Sequence, residues 1–376
     1  MEFQPLHGGQ LRQIADRFGI PVSGLIDFSA SINPEGPPAA VPALLRQALD
    51  ELPILTNYPD LDEIVLRQAL ARYADVRLEN VVVANGFVPL LDATLRILPI
   101  RTCLVPVPAF VEYRRTLERA LVEMIPHVLP ADSEFSFDTA DLFSRDCDAI
   151  LLANPQNPSG VLSSRETLLR IAGEAAERNI FVLLDEAFID YTPTASLARE
   201  VDRFPNLIVF RSVTKFFGMA GLRIAYAAAN AALRMQLQES IAPWSVTSLA
   251  SLAAGIAVQD EAYTQHTMTL NKERRDRMQM AIENLSVRVF PSAANFILLR
   301  LPGSVDRRQC WERLIRQHRI VVRNCFNYEG LGDGHLRAAV RTERENGRLV
   351  EALAYELDPR RRIVRGGCAP NEAVPR

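Results

Sequence analysis

VFRSVTKFFGMAGLRIAY, residues 209–226, runs from an apolar, β-rich segment into a polar SVTK, then into small residues and an arginine. Ser212, Lys215 and Arg223 stand where a strand gives way to a loop. Phe216, Phe217 and Met219 flank the lysine, and such surroundings partly desolvate it. Desolvation disfavours the ammonium form and lowers the pKa, which suits a lysine that acts as a nucleophile or forms a Schiff base. A lysine that lays its stem on apolar surface and reaches water with its head explains the same neighbours. The rest of the chain has to choose between the two.

Outward from this stretch, β-rich runs alternate with amphipathic ones: VVVA (81–84), TCLVPV (102–107), DAILLAN (148–154), NIFVLLDE (179–186), NLIVFRS (206–212) and LRIAYAAA (222–229). Helical patterns lie between them, and one, SSRETLLRIAGEAAERN, opens with a serine and a glutamate at capping-box spacing. Apolar strands alternating with helices predict an α/β fold with a mostly parallel sheet covered on both faces. Ligands of such sheets bind beyond the carboxyl ends of the strands. Four strand ends carry polar chemistry: NGFVP after VVVA, NPQNPSG after DAILLA, DEAFIDY after NIFVLL, and RSVTK after NLIVF. Asp185 follows the apolar IFVLL, an expensive place for an unpaired carboxylate, although a helix N-cap or turn aspartate also fits there. Past about residue 255 the order of helices and strands predicts a smaller α+β domain. The expected organisation is an irregular arm (1–38), a large domain (39–255), a small carboxyl-terminal domain (256–357) and a loose basic tail (358–376).

At 376 residues, 48% hydrophobic and 23% charged, the composition is that of a soluble globular chain with more than one domain. A net charge of -3 offers no basic field for nucleic acid. Small anionic ligands would need a local arginine cluster. The five cysteines are odd in number and scattered without C-x-x-C spacing, so neither a disulfide framework nor a zinc site is expected. The five histidines show no metal-ligand spacing, and no metal is expected. No apolar leader or membrane-length run is present, which makes the cytoplasm the expected location and excludes a membrane partner.

NPQNPSG, DEAFIDY and SVTKFFGMAGLR, in that order and spacing, resemble the fold type I pyridoxal-phosphate (PLP) enzymes of the aminotransferase class I/II superfamily. The resemblance covers nearly the whole chain, and it implies that fold and PLP as cofactor. It implies that Lys215 holds PLP as a Schiff base and then moves protons at the reacting carbon. Asp185 would pair with the ring nitrogen and keep it protonated, so that the ring serves as an electron sink. Asn157 would hydrogen-bond the ring hydroxyl, and Phe110, in PVPAFVEY, would stack on the ring. Ser212 and Arg223 would bind the cofactor phosphate together with the backbone N–H groups of Gly86, Phe87 and Val88 at a helix N-terminus. Tyr58, in TNYPD, would reach the phosphate of the neighbouring subunit's PLP, which makes the protein an obligate homodimer.

The arm, LHGGQLRQIADRFGI followed by LIDFSASINPEGPP, resembles more narrowly the threonine-phosphate decarboxylases of cobalamin side-chain synthesis, close kin of the histidinol-phosphate aminotransferases. APWSVTSLA (242–250), VVRNCFNYEGLG (321–332) and HLRAAVRTERENGRL (335–349) agree with it, and DEAF places Phe188 where many aminotransferases have tyrosine. Arg337 resembles the carboxylate-binding arginine; Arg323, with His7 and Asn33 of the arm, resembles the substrate-phosphate site. Arg341 either contributes to that site or pairs with the glutamates that follow it. NGFVP departs from these relatives: Phe87, Val88 and Pro89 replace a polar phosphate turn, which preserves backbone donors but removes any side-chain hydroxyl.

The implied reaction is decarboxylation of L-threonine O-3-phosphate, or a close phosphoamino acid, to an amino-alcohol phosphate. Transamination of histidinol phosphate or a related amino compound is the alternative, because the bond held perpendicular to the ring is the one that breaks and sequence does not reveal that torsion. SVTK also matches the S-x-x-K of serine β-lactamases, but the companion S-D-N and K-T-G motifs are missing. A PLP-fold transcription regulator would need a DNA-binding domain that a 38-residue arm does not accommodate. A catalytically dead scaffold conflicts with the intact Lys215 and Asp185.

Overall fold

The computed structural model describes residues 7–332 and 334–358. The tail expected at 358–376 therefore lies, apart from Asp358, outside the described residues. Among those residues, the strands in chain order are β1 (Ile26–Phe28), β2 (Val81–Ala84), β3 (Thr102–Val107), β4 (Glu123–Val128), β5 (Ala149–Ala153), β6 (Phe181–Asp185), β7 (Leu207–Arg211), β8 (Ala225–Ala228), β9 (Arg288–Val289), β10 (Phe296–Arg300), β11 (Ile320–Asn324) and β12 (His335–Ala339).

Seven strands form a sheet in the order β2-β8-β7-β6-β5-β3-β4, and five form a second in the order β1-β11-β12-β10-β9. In the larger sheet β3 to β7 are parallel, whereas β8 runs antiparallel to both β7 and β2. Successive side chains of its central strands enter different cores. Ile150, Leu152, Val182, Leu184 and Val209 pack on one face. Ala149, Leu151, Leu183, Ile208 and Phe210 pack on the other. Burial on both faces is why these strands read as unbroken apolar runs rather than as alternating ones.

Two elements differ from the sequence expectation. β4, EMIPHV, is an edge strand with exposed ends, so it carries too little apolar signal to stand out. The arm is not irregular: Leu11–Phe18 is a helix, and β1 pairs in parallel with β11 at the edge of the smaller sheet. Ile14, Phe18, Ile20 and Phe28 join that sheet's core. The i, i+3, i+7 spacing of Leu11, Ile14 and Phe18 carried this signal. In SSRETLLRIAGEAAERN the cap lies one residue beyond the capping-box serine: Ser164 accepts from the Thr167 amide, and the helix runs Arg165–Glu177.

His335 opens β12 at 3% exposure. Burial first, then Arg300, Arg307 and Arg288, hold its imidazole down at about 4 against an ordinary 6.5. The unfolded chain therefore takes up this proton first. Stability is fully present above about pH 6.5 and is lost as pH falls toward 4, by about 3 kcal/mol in all. Urea unfolding at pH 7 and pH 5 should show most of that loss in the wild type and much less in His335→Gln; equal losses in both would refute it.

Candidate active site

Strand register assembles the edge of the larger sheet. Ala153 pairs with Asp185, and Asp185 with Phe210, so the segments leaving β5, β6 and β7 emerge side by side. Because β8 runs antiparallel to β7, its amino end, just after Arg223, lies at the same edge. Ala84 pairs with Ala225, which sets Gly86 beside Arg223. Gly86 has φ 100°, and a Cβ there would sit 2.8 Å from Arg223 Nη2. Only glycine permits that approach. The helix Phe87–Ile97 starts here.

These segments and the smaller sheet enclose a cavity of about 290 Å³. Of the residues singled out from the sequence, His7, Gly86, Phe87, Val88, Phe110, Asn157, Ser212, Lys215, Arg223, Arg323 and Arg337 line it. Lys215 Nζ lies 5.1 Å from the centre of the Phe188 ring. Burial pushes its ammonium below the ordinary value; Asp185 opposes the shift, and Arg223 and Arg337 add to it. Asp185 is buried behind the cavity wall, where Tyr113 Oη donates to Oδ2 at 2.6 Å and the Ala187 amide to Oδ1 at 2.9 Å. Burial raises its pKa, against Tyr113, Lys215 and the Ala187 amide.

At the Arg223 end, the Ser212 and Thr214 hydroxyls share a hydrogen bond of 2.9 Å. The Gly86 amide is already used, donating to Ala84 O at 2.8 Å. The donors left by helix geometry are therefore the first helical amides, those of Phe87 and Val88. Pro89 has no N–H to lose, which explains why NGFVP is tolerated.

The smaller sheet supplies the opposite wall. Arg323 and Arg337 are cross-strand partners on β11 and β12, at 2% and 7% exposure. Like charges directly opposite repel, and among the described residues no carboxylate pairs with Arg337: its guanidinium donates to Asn157 Oδ1 and to Ser29 O. Arg323 donates to Asn324 O at 2.7 Å and Asn327 Oδ1 at 2.8 Å, and lies over the Tyr328 ring. His7 reaches the rim because Gly8 packs on the Ser29 carbonyl, where a Cβ would come within 2.0 Å. Its Nε2 sits 2.9 Å from Glu112 Oε1. Burial pushes the imidazole pKa down, Glu112 opposes, and Arg323 and Arg115 add to the lowering.

Besides Asp185, two expected residues do not line the cavity. One is Asn33, whose Nδ2 donates to Phe216 O and Tyr263 Oη, and whose amide donates to Lys215 O. Those bonds brace the short helix Val213–Phe216, which carries Lys215 where the sequence suggested a loop. Tyr58 is 79% exposed and stacks on Trp244 at 4.6 Å. Arg341 is tied to Asp27 O and Glu345. Sequence reasoning missed Thr214 and Tyr328 in the cavity wall and Tyr113 behind it. Tyr113 follows Phe110 by three residues on one helical turn, and that spacing was the available signal.

The set fits a phosphorylated pyridine aldehyde. Helix amides, two hydroxyls and Arg223 suit the phosphate, a desolvated lysine the aldehyde, and a buried carboxylate the ring nitrogen.

Comparison with known proteins agrees with that chemistry. The family model described as aminotransferase class I and II matches residues 23–353. The threonine-phosphate decarboxylase of Salmonella typhimurium is 36% identical over 94% of this chain and 97% of its own. The adenosylcobalamin biosynthesis bifunctional protein CobDQ of Leptospira interrogans is 28% identical over 93% of this chain and 41% of its own. The crystal structure of the histidinol-phosphate aminotransferase from Clostridium acetobutylicum superposes with a TM-score of 0.81 at 27% identity, covering 88% of this chain and 98% of that one. A match across this much of the chain, together with a lysine, aspartate and arginine gathered at one sheet edge, makes the chain a member of the aminotransferase class I and II family.

Proposed function

We propose that this chain is a PLP-dependent decarboxylase of L-threonine O-3-phosphate, or a close phosphoamino acid, releasing carbon dioxide and an amino-alcohol phosphate in cobalamin side-chain synthesis. The cofactor is pyridoxal 5'-phosphate. The observation that carries the reading is the buried cross-strand pair Arg323 and Arg337, which faces Lys215 across the cavity. Two guanidinium forks lining one cavity suit a ligand with two anionic groups, and a phosphoamino acid brings a phosphate and a carboxylate. Arg337 takes the carboxylate; Arg323, with His7, takes the phosphate. Asn33 acts indirectly, by bracing the short helix that carries Lys215.

The cofactor supplies an electron sink that accepts the electrons of the broken bond. Lys215 Nζ would hold the cofactor covalently and, once displaced by the substrate's amine, would return a proton to the carbon that lost carbon dioxide. Asp185 would keep a proton on the ring nitrogen. Ser212, Thr214, Arg223 and the amides of Phe87 and Val88 bind the cofactor phosphate. Asn157, which accepts from Arg337, links the ring-hydroxyl site to the carboxylate site. Phe110 and Phe188 wall the ring.

The deciding experiment offers the enzyme phosphothreonine, phosphoserine, and histidinol phosphate with 2-oxoglutarate, and assays carbon dioxide and glutamate. Carbon dioxide from a phosphoamino acid, with no keto-acid requirement, is expected. Glutamate from histidinol phosphate without carbon dioxide would make the protein an aminotransferase instead.

The same reading makes the protein a cytoplasmic homodimer. Leu49, Leu52, Leu55, Leu61 and Val65 are exposed around Tyr58 in one segment, and clustered exposed apolar side chains mark an interaction surface. Sedimentation at assay concentration should give a dimer, and Tyr58→Ala should weaken PLP binding. A fully active monomer would refute the shared site.

A further inference from the structure

Tyr113 lies in the helix Val111–Arg119 at 1% exposure, out of reach of the cavity. With the Ala187 amide it gives each oxygen of Asp185 one donor, which fixes the carboxylate's rotation. The bond is dry. Phe110 meets the Tyr113 ring edge-on at 5.7 Å, and Phe87 lies 5.7 Å from Tyr113 and 5.4 Å from Phe210. Phe87, the residue that breaks the expected polar turn, thus packs against the Tyr113 ring. A charge-assisted hydrogen bond strengthens when water is excluded.

We infer that Tyr113 is a positioning residue, holding Asp185 ionised and fixed for its pairing with the cofactor's ring nitrogen, with Phe87 keeping water from the bond. The inference rests on the reading of Asp185 as the partner of that nitrogen. Burial and the adjacent carboxylate push the Tyr113 phenol well above its ordinary pKa, so it remains a donor throughout the working range. Its donated hydrogen bond makes Asp185 a weaker base, which leaves the shared proton on the ring nitrogen rather than on the carboxylate. The hydroxyl is the part that acts; the ring is packing.

The test measures PLP dissociation constants of cofactor-free protein by absorbance titration for wild type, Tyr113→Phe, Asp185→Asn and the double variant. Melting temperatures of the cofactor-free forms report folding. Asp185→Asn should weaken binding strongly, and Tyr113→Phe by about tenfold. Added to Asp185→Asn, Tyr113→Phe should do almost nothing further. Equal effects in the two backgrounds, or no effect in the wild type, overturn the role of Tyr113. Unchanged binding by Asp185→Asn instead overturns the reading of Asp185 itself. Should Tyr113→Phe fail to fold, Phe87→Ala opens the same bond to water without adding a hydroxyl to the phosphate turn; it is expected to weaken binding more with Asp185 present than in Asp185→Asn, and equal weakening overturns the inference.

Discussion

Lys215→Ala should lower kcat by on the order of 10⁴-fold, the upper end of what one positioned proton-transfer group contributes. On the proposed reading two functions would disappear together: the covalent hold on the cofactor and the proton returned to the reacting carbon. Burial pushes the Lys215 ammonium pKa down; Asp185 opposes the shift, and Arg223 and Arg337 add to it, a direction that favours the neutral nucleophile. PLP should still bind noncovalently, because the phosphate donors and Asp185 are untouched. In the wild type, borohydride should fix the cofactor onto Lys215, and peptide mapping should find the label there. Labelling at Lys272, the one other lysine in the chain, or near-normal turnover by Lys215→Ala, would remove the foundation of the proposed function.

Arg337→Ala should lower kcat/KM for the phosphoamino acid by on the order of 10²- to 10³-fold, as expected for deleting one partner of a buried, hydrogen-bonded charge pair. The variant also strands Asn157 Oδ1 and Ser29 O, both of which accept from this guanidinium. Arg337→Lys should recover little, since an ammonium cannot reproduce the planar fork that bonds neutral acceptors and substrate together. Affinity for PLP should change far less than kcat/KM, which separates substrate binding from cofactor binding. Arg323→Ala should act mainly on KM. Wild-type kcat/KM in Arg337→Ala would show that the carboxylate binds elsewhere.

Much of the large sheet was legible because its central strands are buried on both faces, and burial on both faces writes a continuous apolar run into the sequence. VVVA and TCLVPV coincide with β2 and β3 residue for residue. β4 left no such mark, because an edge strand that stays partly exposed has no need of one. The arm was underread for a different reason. Its helix is short, and β1 is three residues long and stable only as a neighbour of β11, a segment some 290 residues away.

The sequence by itself determined the chemistry at the strand ends: a lysine among aromatic residues, an aspartate after an apolar run, and an asparagine and an arginine at fixed distances along the chain. Those are local facts, since each depends on what immediately precedes a loop. Tertiary structure alone decided which of these groups act together. Antiparallel β8 carries Arg223 back to Gly86, the β11–β12 register sets Arg323 against Arg337, and helix packing delivers Tyr113 to Asp185. It also gave Asn33 partners away from the cavity and the Gly86 amide a backbone acceptor of its own. A side chain's chemistry is written in its type, but hydrogen bonds and charge pairs act over about 3–4 Å, and which groups come that close is settled only when the sheets pair.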